Sequence, residues 1–206
     1  CKDLDEVFVA TDTRQICDVV KKYDGKAIMT SKEHKTGTDR IAEAVKNIDC
    51  DLIVNIQGDE PLVRPEHISK VIKPLKDDHS LKISTLMCET DQLNQTNECK
   101  MVVNLNNEVM YFSRSDIPSN SRKKHDRLFK LYSVVAFRRE FLLKFASWKL
   151  TPNEKIEYIE YLRALEHGYR MKAVLVEEPS QSVDTSEDLE LVRRLMKEDK
   201  IKHMYM

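Results

Sequence analysis

A run of aliphatic residues (Leu52, Ile53, Val54, Ile56) ends at Gly58, and two carboxylates, Asp59 and Glu60, follow before Pro61. That pattern delivers an acid to the carboxyl end of a strand, the edge at which open α/β sheets bind their ligands. Glycine admits close backbone approach there, and proline blocks continuation of the strand. Asp59 is therefore the first candidate metal ligand. Asp184 repeats the logic, since in Val183-Asp184-Thr185 an acid lies between a loop and the start of a helix. Mg²⁺ takes one or two carboxylates and fills its octahedron with waters and substrate phosphates. Asp59 and Asp184, arriving from different strand ends, suit that ion. Plainer meanings exist for both: Gly-Asp and Pro are ordinary turn residues, and acids from Asp184 to Asp188 also offset a helix dipole.

The elements that must position these acids follow from hydrophobic periodicity. Apolar runs at 7–10, 27–29 and 52–56 predict strands, and helical spacing predicts helices over 13–23, 39–46 and 67–75. Three such βα steps predict a largely parallel sheet covered by helices. The rhythm then changes. Runs at 83–87, 100–103 and 109–113 are strand-like with short connections, so a mixed or antiparallel segment is expected there, with 104–108 as a hairpin loop. Beyond it, a strand is expected over 131–137, a helix over 139–145, and one longer helix over 154–166 closed by His167-Gly168. Ile156, Ile159 and Leu162 would form the buried face of that longer helix. A strand over 172–176 and a helix over 186–197, N-capped by Ser186, complete the α/β pattern.

Composition excludes several function classes. Lys plus Arg is 34 against 35 Asp plus Glu, a balance that gathers neither nucleic acid nor a membrane surface. No apolar stretch is long enough to span a bilayer, and the first residues carry no basic-then-apolar leader, so a cytoplasmic location is expected. Five cysteines without a Cys-x-x-Cys pair predict reduced thiols and neither a disulfide framework nor a zinc site. The length of 206 residues suits one domain.

Five blocks appear in a fixed order between His34 and Leu189: 34–40 (His-Lys-Thr-Gly-Thr-Asp-Arg), 55–61 (Asn-Ile-Gln-Gly-Asp-Glu-Pro), 110–118 (Met-Tyr-Phe-Ser-Arg-Ser-Asp-Ile-Pro), 160–166 (Glu-Tyr-Leu-Arg-Ala-Leu-Glu) and 183–189 (Val-Asp-Thr-Ser-Glu-Asp-Leu). In these the chain resembles the CMP-KDO synthetases, the 3-deoxy-manno-octulosonate cytidylyltransferases. The resemblance implies a Rossmann-like nucleotidyltransferase sheet with helices on both faces and an inserted mixed or antiparallel segment at about 100–137 that serves dimerisation and sugar binding. It implies CTP and a sugar acid as substrates, Mg²⁺ as cofactor, a homodimer, and a CMP-sugar for lipopolysaccharide or a related polysaccharide. Asp59 and Asp184 match the family's metal-binding acids. Lys35, Thr36, Gly37, Arg40 and Gln57 fall on its nucleotide loop and crevice, and Lys100, Arg114 and Glu160 fall on its sugar-binding positions. Bland readings stay open here too: Arg40 as a solvated helix charge, Lys100 as an edge-strand lysine, Glu160 as an exposed helical acid.

Two departures bear on substrate and activity. Leu131, Val135 and Tyr161 stand where the family carries histidine, tyrosine and glutamine, and a site built for hydroxyls discriminates through such groups. The family's opening strand and basic, glycine-containing phosphate loop have no match, as expected of a fragment lacking a first βα unit of roughly thirty residues. The rival expectation is a non-catalytic relative that binds a nucleotide or serves as a subunit.

Overall fold

The computed structural model describes residues 1–123, 127–177 and 179–201. Its central strand is β7 (Leu128–Arg138), which needs three partners although a strand has two edges. One edge runs along β4 (Ile83–Thr90), from Leu128 to Phe137. The other is shared, with Val134 to Arg138 pairing β3 (Leu52–Ile56) and Phe129 and Lys130 pairing β5 (Lys100–Val103). All three pairings are antiparallel. β4 continues the sheet through a parallel pairing with β8 (Met171–Leu175), and β5 through an antiparallel hairpin with β6 (Val109–Ser113). The hairpin loop is where expected, its turn held by the Asn104 side chain, which accepts from the amides of Asn106 and Glu108 at 2.9 Å each.

A parallel pair, β1 (Phe8–Thr11) and β2 (Lys26–Met29), forms its own two-stranded sheet around α1 (Arg14–Lys22). The expected largely parallel sheet is therefore corrected. The main six-stranded sheet is mixed, because the hairpin sends β7 back beside β3 in the opposite direction.

The pleat of β7 builds a core on each face. Val135 and Phe137 point into a cluster with Ile53, Phe112, Ala42 of α2 (Gly37–Ala44), and Phe141 and Phe145 of α4 (Arg139–Ser147). Tyr132, Val134 and Ala136 point the other way, against Val71, Ile72 and Leu75 of α3 (Pro65–Asp77). Helices thus cover both faces of an α/β sheet, and complete burial of such strands is what makes them read as continuous apolar runs.

The longer helix expected over 154–166 is two helices, α5 (Pro152–Glu157) and α6 (Leu162–Glu166). Tyr158 closes α5 in the left-handed region at φ 55°, and its N–H returns to the Glu154 carbonyl at 2.8 Å. A buried ion pair clamps the two helices, with Arg163 Nε 2.9 Å from Glu154 Oε2 and Nη2 2.5 Å from Oε1. The break also corrects the expected buried face: Ile159 and Leu162 are buried, but Ile156 is 76% exposed. The last helix, α7 (Ser186–Lys197), has the expected span but a different cap: Thr185 Oγ1 accepts the Asp188 N–H at 3.1 Å while Asp188 reaches back to the Thr185 N–H.

Candidate functional site

The amino terminus of α2, the tip of β3 and the turn between α5 and α6 meet in one crevice. Thr36 caps α2, its hydroxyl accepting from the Asp39 N–H at 3.1 Å. Gly37 opens the helix with the Gln57 amide beside it, so close that a Cβ at Gly37 would lie 3.4 Å from Gln57 Oε1. Thr38, fully buried, donates to Glu160 Oε1 at 2.5 Å and receives the Asn55 amide at 3.4 Å. The other carboxylate oxygen of Glu160 is buried without a hydrogen-bond partner. Burial pushes the Glu160 carboxyl above its ordinary range, against the stabilising Thr38 and Thr36 hydroxyls. The neighbouring Tyr161 phenol is driven well up by burial and by the adjacent Glu160.

The two candidate metal acids lie on loops that are joined. The Val183 N–H donates to the Asp59 carbonyl at 2.9 Å, so the residue before one acid holds the backbone of the other. Both acids are exposed. Glu60, beside them, has its carboxyl raised first by burial and then by the charges of Asp59 and Asp184. Ser182 donates to Asp184 Oδ2 at 3.1 Å. Among the described residues no three His, Cys, Asp or Glu form a ready metal cage. Two exposed carboxylates on linked loops are instead the sparse, hard donor set that suits Mg²⁺, which keeps waters and substrate phosphates for its other positions.

The predicted cations sit differently. Lys35 is exposed at the crevice mouth beside Thr36. Arg40 pairs with an acid: its guanidinium meets Asp12 Oδ2 at 2.8 Å and Thr30 Oγ1 at 2.7 Å, tying α2 to the ends of β1 and β2. Lys100 is wholly buried; its ammonium binds the Gln95 carbonyl and lies 3.7 Å from both Glu98 and Asp116. Arg114 follows β6, and its guanidinium reaches the carbonyls of Asn97 at 2.7 Å, Glu157 at 3.3 Å and Tyr158 at 3.3 Å. Of the substituted positions, Val135 is buried in the core, Leu131 packs against it and Tyr161 is buried under Thr38.

The fold thus gathers Thr36, Gly37, Gln57 and Glu160 at one end of a crevice and links Asp59 to Asp184, while Lys100 and Arg114 lie on the hairpin side, engaged with their own chain. Sequence reasoning placed Thr38 on the nucleotide loop but missed its bond to Glu160, and overlooked Asn55. Asn55 carried a visible signal, a polar residue inside an otherwise aliphatic strand.

Comparison with known proteins identifies the family. The cytidylyltransferase family model matches residues 1–178. A 3-deoxy-manno-octulosonate cytidylyltransferase of Syntrophus aciditrophicus (strain SB) is 41% identical over 91% of this chain and 79% of its own length. One from Fusobacterium nucleatum is 39% identical over 97% and 83%. Among solved structures, a CMP:2-keto-3-deoxy-manno-octonic acid synthetase complexed with CTP superposes with a TM-score of 0.89 at 34% identity, covering 95% of this chain and 82% of that one. A 4-diphosphocytidyl-2C-methyl-D-erythritol synthase from Anaerococcus prevotii, at TM-score 0.62 and 16% identity, shares the fold alone.

Proposed function

Because this chain belongs to the cytidylyltransferase family, we propose that it activates a 3-deoxy-manno-octulosonate-type sugar acid with CTP, giving the CMP-sugar and pyrophosphate. A sugar hydroxyl oxygen bonds to the α-phosphorus, the bond from phosphorus to the β-phosphate oxygen breaks, and pyrophosphate leaves with that electron pair while the hydroxyl proton is released. No covalent intermediate on the protein is required, so the residues work by positioning and by neutralising charge.

The single observation that carries this reading is the bond from Val183 to Asp59, which sets two carboxylates on adjoining loops next to the Gly37–Gln57 crevice. Gln57, Thr36 and Lys35 line the nucleotide end, where Gly37 leaves space for a close approach. Arg40 braces that end through Asp12 and Thr30. Glu160, held by Thr38 of the first turn of α2, has one buried oxygen unpartnered, which would accept from a sugar hydroxyl. Arg114, whose guanidinium among the described residues meets carbonyl oxygens and no carboxylate, supplies positive charge for the sugar's carboxylate, with Lys100, buried beside Glu98 and Asp116, acting from behind it on the hairpin. Asp59 and Asp184 would hold Mg²⁺, which when bound neutralises phosphate oxygens and acidifies an attacking hydroxyl.

The protein acts, on this reading, in the cytoplasm; no helix among the described residues is long and apolar enough to cross a membrane. A homodimer through the segment at about 100–137 is supported by the exposed apolar side chains of Leu105 and Met110 on its hairpin, while residues 124–126 of that segment lie outside the described residues.

Pyrophosphate release from CTP and Mg²⁺, with and without 3-deoxy-manno-octulosonate, tests the assignment. Release matched by CMP-sugar, and only with both substrates present, is expected. Binding of CTP with no transfer to any sugar acid would overturn the assignment in favour of a non-catalytic nucleotide-binding relative.

A further inference from the structure

A line of side chains runs from the back of the sheet to the acid loops, and the assigned chemistry does not use it. On α3, His67 is 5% exposed; its ring meets that of Tyr132 edge-on at a centroid distance of 5.3 Å, and its Nδ1 lies 3.1 Å from the Tyr132 hydroxyl. Tyr132, on β7 and 3% exposed, donates to Ser180 Oγ at 3.0 Å. Ser180 donates in turn to Glu60 Oε2. Each hydroxyl owns one proton. Ser180 gives its proton to Glu60 and Tyr132 gives its own to Ser180, while His67 Nδ1 accepts from the Arg64 N–H and the ring backs Tyr132 edge-on.

The ends of this line are what give it meaning. Glu60 directly follows Asp59, and Ser180 lies on the loop that leads to Val183 and Asp184. One hydroxyl thereby ties the two loops a few residues from where the Val183 to Asp59 bond ties them again. Tyr132 is packed among Val71, Leu86 and Val134, and with buried His67 it stands on a strand and a helix face, not on a loop. Long-range order of this kind is how a rigid scaffold fixes a ligand constellation that sits on loops.

We propose that Tyr132, backed by His67 and acting through Ser180 and Glu60, is a positioning residue that sets the spacing of the Asp59 and Asp184 loops. The proposal rests on the function assigned above for its consequence in catalysis. The loops' order is a property of the protein whatever its substrate.

Tyr132→Phe removes one oxygen from a packed ring and Ser180→Ala one oxygen from a half-buried loop, so both variants keep the apolar core. Roughly tenfold to hundredfold loss of kcat is expected in each, the cost of a small misplacement. The Mg²⁺ concentration for half-activation should rise severalfold while KM for the sugar acid stays within twofold. The double variant should be no worse than the worse single one, since both break the same line, and Ser180→Thr, which restores a hydroxyl, should recover most of the activity. Independent of turnover, amide hydrogen exchange over 181–185 should quicken in Tyr132→Phe. Wild-type kcat and Mg²⁺ dependence in the single variants, or fully additive losses, would overturn the proposal. If Tyr132→Phe does not fold, Ser180→Ala and Ser180→Thr decide. If the wild type transfers no cytidylyl group, the functional assignment fails and the exchange measurement decides alone: unchanged rates over 181–185 would reject the tie.

Discussion

Thr38 and Glu160, 122 positions apart in sequence, meet at 2.5 Å, the hydroxyl donating to the carboxylate. The contact joins the first turn of α2 to the turn between α5 and α6. It leaves the second carboxylate oxygen of Glu160 sealed from water without a partner. An orphaned acceptor at a buried position costs stability, and here it belongs to the carboxylate whose other oxygen holds Thr38, one residue from Gly37.

Glu160 should make stability depend on pH. Its folded carboxyl titrates above its unfolded value because of burial. Between those values the native chain holds more protons than the unfolded one, so stability falls as pH rises. The contribution is fully present below the ordinary glutamate value and is lost as pH climbs through the raised one. Urea denaturation of wild type and Glu160→Gln from pH 4 upward, at intervals of about one unit, checks this: the variant should lose that slope, and parallel curves would count against it.

Asp59→Asn and Asp184→Asn should each lower Mg²⁺-dependent turnover by about 10²–10³-fold, the range for removing a group that stabilises developing charge. Both side chains are exposed, so the midpoint of thermal unfolding should move little. A chelator should abolish wild-type turnover and excess Mg²⁺ restore it. Turnover unchanged in Asp59→Asn would remove that acid from the metal site.

Arg163→Met should be among the most destabilising single changes in the protein. Arg163 and Glu154 are 2% and 5% exposed, and losing the cation strands a buried carboxylate, at a cost of about 3–5 kcal/mol. Arg163→Met combined with Glu154→Gln should recover part of the loss. Chemical denaturation of the three variants reads this directly, and a single variant within 1 kcal/mol of wild type, about the net worth of an ordinary hydrogen bond, would contradict it.

The thiols of Cys88 and Cys99 are pushed by burial up to about 11 and about 12. At pH 8, where thiolate is the reactive form, both should resist a thiol-exchange reagent in the folded protein and react at once in denaturant. Exposed Cys1 should react without denaturant. Mass mapping of the modified peptides separates the three.

Strands at 52–56, 100–103 and 109–113 were legible to the residue, because each is a compact run of strand-forming residues between turn signals. The direction in which β7 pairs was not legible. Leu131 to Phe137 reads as a mostly apolar run whichever neighbour it takes, and only tertiary packing decides that β3 and β5 share one edge. The break at Tyr158 escaped for a related reason. Ile156, Ile159 and Leu162 keep helical spacing, while the left-handed turn is spanned by a buried pairing of Glu154 with Arg163, nine positions on, that periodicity does not register. Of the candidate site, Asp59 stood out at a strand tip, whereas Gly37 and Gln57 came through the family resemblance. The state of Lys100 and Arg114, each engaged with its own chain, depended on a three-dimensional neighbourhood.

The small parallel sheet of β1 and β2 has a thermodynamic consequence. Around it, α1 buries only Cys17, and Val9, Ile16, Val19, Tyr23 and Met29 are exposed, so little apolar burial opposes its release. Such a region opens at a lower free energy than the core, as a separate cooperative unit. Its tether is Arg40, whose guanidinium reaches Asp12 and Thr30 from the same helix whose first turn carries Thr36 and Gly37. A nucleotide that favours the ordered form of that turn therefore also favours closure of the lobe. By reciprocity, whatever holds the lobe closed tightens the nucleotide by an equal factor.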